Sequence, residues 1–122
     1  MKRILAFALM LCLCLSLVPG EALAAEVTSG SCGEGLTWVL EDGILTISGT
    51  GEMKDYGILF PGPWKSFAES IVTVVIEDGV TYIGDYAFSQ YPQLQNVIIG
   101  SGVTHIGSNA FSHCDKLNDV VI

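Results

Sequence analysis

The sequence has few basic side chains and a clear excess of acidic ones. Its 122 residues contain five Lys and Arg against thirteen Asp and Glu, which gives a net charge of −8. Beyond the N-terminal Lys2 and Arg3, the only basic residues are Lys54, Lys65 and Lys116. A chain of this charge repels nucleic-acid phosphates and anionic lipid headgroups. We therefore expect no nucleic-acid partner.

No apolar run is long enough to cross a bilayer. The longest, from Ile4 to Val18, has fifteen residues, fewer than the roughly 18–20 that a spanning helix needs. Lys2 and Arg3 precede it, and the small-residue triplet Ala22-Leu23-Ala24 follows it. This pattern predicts a signal peptide over residues 1–24, cleaved after Ala24. The mature protein is then exported, with no membrane insertion after cleavage.

Cysteine is scarce in the predicted mature chain, which retains only Cys32 and Cys114. Two cysteines are too few for a disulfide scaffold, although a bridge persists in an oxidising compartment. The sequence leaves open whether the two form a bridge or remain thiols, with one packed as a small apolar residue.

Catalytic motifs are also lacking. The sequence contains no Gly-rich phosphate loop, no pair of carboxylates in a plausible cleft and no nucleophile with an orienting base. We therefore expect neither an enzyme nor a cofactor.

The chain does contain an internal repeat. Residues 71–93, IVTVVIEDGVTYIGDYAFSQYPQ, align without a gap on residues 94–116, LQNVIIGSGVTHIGSNAFSHCDK, and a third copy begins at Leu117. A fixed period of 23 residues is typical of a solenoid, in which each unit packs only on its neighbours. The fold class predicted is therefore a β-rich solenoid of short strands and helical turns.

One cluster in the second repeat resembles a metal or nucleophile site. The first repeat carries none of the ligand types at the equivalent positions, where it has Tyr82, Gln90, Tyr91 and Pro92 in place of His105, His113, Cys114 and Asp115. The spacing of the two histidines also differs from that of zinc sites. We expect no metal site and no catalytic residue here.

Each repeat is expected to supply two short strands and a turn. Val74 and Ile76 in the first repeat, with Val97 and Ile99 in the second, are spaced to face the core from a strand. Residues 80–84 and 103–107 predict a second strand, and residues 85–88 and 108–111 a helical turn that places a Phe in the core. The third copy stops at Ile122, so we expect further repeats or self-association to cover its open end.

A β-hairpin precedes the repeats. Residues 36–40 and 44–48 alternate in polarity around Asp42-Gly43, a type I′ turn signal. One face is apolar, comprising Leu36, Trp38, Leu40, Leu45 and Ile47, which suits a cap over the first repeat. The predicted organisation is therefore a signal peptide (1–24), an N-terminal cap hairpin and linker helix (25–70), and two complete repeats with a truncated third (71–122).

The linker between hairpin and repeats is rich in aromatic residues. Pro63 can begin a short helix, and Tyr56, Phe60, Trp64 and Phe67 lie in or near it. They can either form a platform for sugars or peptides, or pack the cap onto the first repeat. Packing is the preferred interpretation.

The repeat GVTxIGxxAFxxC, with LxxVxI before it, resembles the BspA-like leucine-rich repeat family of bacterial surface proteins. Residues 32–53 and Pro63-Trp64 resemble the module that often precedes those repeats. Tyr91 departs from the frequent Cys of the motif, and Glu77 and Gly100 replace its usual Pro. The resemblance implies a secreted or cell-surface right-handed solenoid used in adhesion, with host surface or matrix proteins among its ligands.

Within that framework, the outward-facing residues of the first strand of each repeat are the candidate binding surface for a protein or peptide. They are Thr73, Val75, Glu77, Asn96, Ile98, Asp119 and Val121, and Gly100 takes the place of Glu77 in the second repeat. The function predicted is a protein-binding or adhesion module at the bacterial cell surface, and the chain is expected to be a fragment of a longer array. A structural spacer and an accessory domain of a larger exported enzyme remain as alternatives.

Overall fold

The computed structural model describes residues 27–122; residues 1–26, which include the predicted signal peptide, lie outside the described part. The elements are nine strands and a 3-10 helix, η1. In chain order they are β1 (Val27–Gly33), β2 (Leu36–Glu41), β3 (Ile44–Gly49), β4 (Gly51–Glu52), η1 (Lys65–Ser70), β5 (Thr73–Ile76), β6 (Val80–Ile83), β7 (Asn96–Ile99), β8 (His105–Ile106) and β9 (Asp119–Val121).

The strands form two open sheets. The larger has six strands in the order β1-β2-β3-β5-β7-β9, and the smaller has three in the order β4-β6-β8. Strands β1 to β3 pair antiparallel, whereas β3, β5, β7 and β9 pair parallel. The hairpin and the repeats therefore share one continuous sheet.

The predicted hairpin is confirmed. Leu40 pairs with Leu45, and Trp38 pairs with Ile47. Asp42 and Gly43 have φ values of 54° and 80°, as a type I′ turn requires at both central positions. All five apolar residues of the predicted inner face are buried.

Strand β1 was not foreseen in the sequence. It pairs antiparallel with β2, and Gly30 lies opposite Trp38. A Cβ atom at Gly30 would lie 2.8 Å from the indole Nε1 of Trp38, so the ring occupies the space that a side chain would fill. The strand is rich in Ser and Gly, and its Cys32 side chain is buried in the core.

Equivalent positions of the aligned repeats are paired in the larger sheet. Val74 pairs with Val97, and Val97 pairs with Val120. Val74 and Val97 are fully buried, whereas Val120 is 48% exposed. Strand β9 is at the edge of the sheet, and no strand of residues 27–122 lies beyond it.

The smaller sheet is less regular than predicted. Strand β6 covers residues 80–83, but β8 covers only 105–106 of the predicted 103–107. The short β4, which pairs with β6, was not predicted. Residues 85–88 and 108–111 form turns rather than helix, and Tyr86 and Asn109 both have a φ of 57°.

A column of stacked aromatic rings fills the core between the sheets. Phe88 lies between Trp64 and Phe111, with ring centroids 5.4 and 5.2 Å away and interplanar angles of 15°. Trp64 also meets Trp38 edge to face at 5.9 Å. Since Trp38 belongs to the hairpin and Phe88 to the first repeat, Trp64 joins the two parts.

Candidate functional site

The residues of the histidine and cysteine cluster of the second repeat are spread over strand β8 and the turn region that follows it. His105 is exposed in β8, with Nδ1 3.1 Å from the Thr104 hydroxyl. His113 has a φ of 57°, and its counterpart Gln90 has a φ of 65°. His113 thus occupies a left-handed turn position that both repeats share. Within residues 27–122, no three His, Cys, Asp or Glu side chains are placed to hold a metal ion.

Cys32 and Cys114, the cysteines of residues 27–122, are free thiols in environments that suppress ionisation. Burial raises the pKa of the Cys32 thiol to about 11, although the charge of Lys54 partly opposes it. Burial also raises the pKa of Cys114, whose Sγ donates to the Phe88 carbonyl oxygen at 3.1 Å. Because the thiolate is the reactive species, neither cysteine has the properties of an activated nucleophile.

The four linker aromatics do not form a shared exposed surface. Trp64 is completely buried, and Tyr56 and Phe67 are half-buried against the core. The Tyr56 hydroxyl donates to the Cys32 carbonyl oxygen at 3.4 Å, and burial raises its pKa to about 12. Phe60 alone is exposed, at 79%. Three of the four therefore pack, as the preferred interpretation expected.

The predicted binding residues lie together on the outer face of the larger sheet. Thr73 pairs with Asn96 and Asn96 with Asp119, and the Asn96 amide donates to the Thr73 hydroxyl at 3.4 Å. The next outward position carries Val75, Ile98 and Val121 side by side in the same register. Alternation with buried residues along β5 and β7 keeps these side chains out of the core, and all three residues of β9 are exposed.

The line of Val75, Ile98 and Val121 continues onto the hairpin. Thr46 of β3 pairs with Val75, and Val39 of β2 pairs with Thr46. We call the line of Val39, Thr46, Val75, Ile98 and Val121 the apolar row. With neighbouring strands ~4.8 Å apart, it is about 19 Å long. Sequence reasoning missed Val39 and Thr46 because it treated hairpin and repeats as separate units, although their strand alternation places both opposite the buried face.

A shallow depression lies beside the apolar row, where β3, β5 and β7 end. Its lining includes Val75, Ile98, Glu77, Asp78 and Gly100. A Cβ atom at Gly100 would lie 2.7 Å from the Ile76 carbonyl oxygen, so a side chain cannot be accommodated there without a shift of the backbone. Gly100 therefore stands at a place too tight for a side chain, whereas the preceding repeat carries Glu77 at the equivalent position.

The charges around this face have one sign. Glu77, Asp78 and Asp119 are exposed on or beside it. Lys65 and Lys116 lie elsewhere, where their Nζ atoms donate to the Ser89 carbonyl oxygen at 2.9 Å and to Gln93 Oε1 at 3.0 Å. Among residues 27–122, the remaining lysine, Lys54, follows β4 of the other sheet.

A second apolar feature was not foreseen in the sequence. Ile58, Leu59 and Phe60 are consecutive and 78%, 84% and 79% exposed. They form a tight loop in which the Gly57 amide donates to the Phe60 carbonyl oxygen at 3.0 Å. None of the helices in residues 27–122 has the length and apolarity of a membrane span.

Comparisons with known proteins agree with the repeat pattern. Residues 65–122 match the family model described as "BspA type Leucine rich repeat region (6 copies)". The chain is similar to the crystal structure of a leucine-rich repeat protein from Eubacterium ventriosum ATCC 27560, with 34% identity and a TM-score of 0.70. That match covers 78% of this chain and 26% of the other, so the chain spans about a quarter of it. No curated protein matches.

These matches bear on function only in general terms. A leucine-rich repeat region supports a protein-interaction module, and this family and fold are typically not enzymes. On the outer face of the larger sheet the repeats place equivalent side chains in lines, an arrangement that a partner can read.

Proposed function

Because the chain belongs, through residues 65–122, to the BspA-type leucine-rich repeat family, we propose that it is an exported protein-binding module that acts in adhesion at the bacterial cell surface. The observation that supports this most strongly is the apolar row, bordered by polar side chains, on the outer face of the larger sheet. The predicted signal peptide supports export.

The proposed architecture is a solenoid of 23-residue repeats with the hairpin as its N-terminal cap. The pairing of β3 with β5 and the contact between Trp38 and Trp64 support the capping role. In this arrangement residues 25–70 form the cap and linker and residues 71–122 the repeats. The cap extends the binding face, since Val39 and Thr46 belong to the apolar row.

The apolar row has the exposure that a binding surface needs. Ile98 is 43% and Val121 52% exposed, and burying apolar area releases about 25 cal/mol per Å². Interfaces place such residues at the centre and polar residues at the rim. Here Thr73, Asn96 and Asp119 form a polar line next to the row. Exposed β-branched residues also suit strands for intrinsic reasons, so binding must be measured directly.

The test uses Ile98→Glu, which places a charge at the centre of the row. Ser66→Glu is the matched control, since it adds the same charge to exposed helix η1. The purified protein without its predicted signal peptide is tested against a panel of soluble matrix glycoproteins and against a phage library of random peptides. We expect specific binders of the wild-type protein that Ile98→Glu loses and Ser66→Glu keeps, with both variants melting near the wild-type temperature.

Two outcomes would contradict the proposal. Binders that tolerate Ile98→Glu would place the binding surface elsewhere. A complete absence of binders would instead favour a structural spacer. A large loss of stability in Ile98→Glu would show that Ile98 is part of the core, and Val121→Glu, at the more exposed end of the row, would then replace it in the binding test.

A further inference from the structure

The depression combines an apolar surface with uncompensated negative charge. Val75 and Ile98 form its apolar side, and Glu77 and Asp78 lie at its border. Both carboxylates belong to exposed residues. Asp78 is held in place, because its Oδ1 accepts a hydrogen bond from the Ser101 amide at 2.9 Å.

No lysine of residues 27–122 is placed to neutralise this border. Lys65 donates to the carbonyl oxygens of Ser89 and Gln90, at 2.9 and 3.2 Å, and neither residue lines the depression. The Nζ atom of Lys116 donates a hydrogen bond to the Gln93 side chain. Lys54 lies close enough to the buried Cys32 for its charge to oppose part of the rise in the pKa of that thiol. The negative potential at the depression is therefore available to a partner.

Gly100 lines the depression with backbone alone. At the equivalent place in the first repeat, Glu77 projects from the sheet, whereas Gly100 adds no atoms beyond its backbone. A Cβ there would also lie 2.7 Å from Asp78 Oδ1. Asp78 Oδ1 therefore lies directly against the bare Gly100 backbone, and a cation in the depression can pair with this carboxylate while its neighbour in sequence contacts Ile98.

We propose that the depression binds a basic segment of a partner protein, in which an aliphatic or aromatic side chain lies next to a Lys or Arg. The apolar side chain packs on Val75 and Ile98, and the cation pairs with Glu77 and Asp78. The proposal rests on the proposed function, because it specifies the partner of the same face. Charge complementarity of this kind governs partner choice and association rate more than total affinity.

The experiment tests peptides selected from a random phage library on the wild-type protein. Each selected peptide is synthesised in two forms, one with its Lys or Arg and one with neutral citrulline in those places. The doubly substituted Glu77→Gln and Asp78→Asn protein removes both charges and keeps a carbonyl oxygen for the Ser101 amide. A Glu69→Gln and Asp115→Asn protein is the control, since it removes the same charge at two exposed sites elsewhere.

We expect the selected peptides to be enriched in Lys or Arg next to an apolar residue. At low salt, loss of the two carboxylates should weaken binding about threefold to tenfold, which corresponds to about 0.7–1.4 kcal/mol, the range of weak exposed ion pairs. The citrulline peptides should show the same loss and no further effect of the substitutions. Added salt should weaken the binding of the basic peptides, because it screens exposed charges.

One result would overturn this inference alone. The selected peptides would lose binding to the Ile98→Glu protein, yet they would carry no excess of Lys or Arg and would bind the Glu77→Gln and Asp78→Asn protein as tightly as the wild type. The proposed function would then stand. Peptides that bind Ile98→Glu as well as the wild type would overturn both proposals.

Discussion

Trp64 donates a hydrogen bond from its indole Nε1 to the carbonyl oxygen of Ala87, 2.9 Å away, in the fully buried core. The ring of the same residue stacks on Phe88. Phe88 in turn stacks on Phe111, its equivalent in the second repeat. The Trp64 ring thus takes the place that the Phe ring has in the repeats and, unlike a Phe ring, also donates a hydrogen bond to the backbone of the next layer.

This double role predicts graded effects of substitution at Trp64. Trp64→Phe keeps the stack but leaves the Ala87 carbonyl oxygen without its partner, a loss of about 1–3 kcal/mol. Trp64→Ala removes the ring and should cost about 3–5 kcal/mol. Urea unfolding followed by circular dichroism measures both. The control is Phe60→Ala, which should change the free energy of unfolding by less than ~0.5 kcal/mol because Phe60 is exposed.

The two equivalent valines Val97 and Val120 should differ in their contribution to stability. Val97 is fully buried, whereas Val120 is 48% exposed. We expect Val97→Ala to lower the free energy of unfolding by about 2 kcal/mol and Val120→Ala by about half of that or less. Equal losses would mean that Val120 is covered in solution. Repeating the unfolding at several protein concentrations would then show whether a second copy covers it.

The elements with a strong local signal could be predicted from the sequence. Asp42-Gly43 specifies the hairpin turn by its positive φ values, and the alternation around it specifies the pairing of Trp38 with Ile47. The alignment of the repeats also predicts that Val74 lies beside Val97. Each of these features depends on a few neighbouring residues or on comparison of the chain with itself.

The features that could not be predicted depend on contacts between distant segments. Strand β1 has little apolar alternation and exists because it pairs with β2, where Gly30 accommodates the ring of Trp38. For the candidate site, the repeats alone indicated Val75 and Ile98. The extension to Val39 required the pairing of β3 with β5, which no local pattern specifies.

The exposed loop of Ile58, Leu59 and Phe60 should contribute apolar surface but little stability. Replacing Leu59 and Phe60 together by Ser should leave the melting temperature within about 2 °C, because both side chains are largely exposed. Binding of an apolar fluorescent dye to the native protein should fall. A decrease in melting temperature of several degrees would show instead that the loop packs against the protein in solution.

Cys32 should make the protein less stable at alkaline pH. Its pKa is raised by burial from 9.0 to about 11 in the folded protein, so the folded state holds the thiol proton more tightly than the unfolded state does. The free energy of unfolding should then fall as the pH rises from about 9 to 11. Cys32→Ala should reduce this slope, measured by urea unfolding at fixed pH values. Some slope should remain, because burial also raises the pKa of Tyr56.

Asp55 should contribute to stability with the opposite dependence on pH. The Tyr82 hydroxyl donates to Asp55 Oδ1 at 2.6 Å, and the Asp85 amide donates to the same atom at 2.9 Å. These bonds, that of Tyr82 first, lower the pKa of Asp55 below 3.8. The stabilisation is therefore present above about pH 4 and lost as the pH falls through the folded pKa.

Tyr82→Phe removes the hydrogen bond that lowers the pKa of Asp55 most and keeps the aromatic ring. We expect the free energy of unfolding of this variant to depend less steeply on pH below 4 than that of the wild type, in urea unfolding measured from pH 2 to 7. Thr81→Ala is the control, since it alters a neighbouring residue whose side chain does not bond Asp55. An unchanged acid slope in Tyr82→Phe would mean that the Asp85 amide alone holds the Asp55 carboxylate, and Asp55→Asn would then be the variant that flattens the slope.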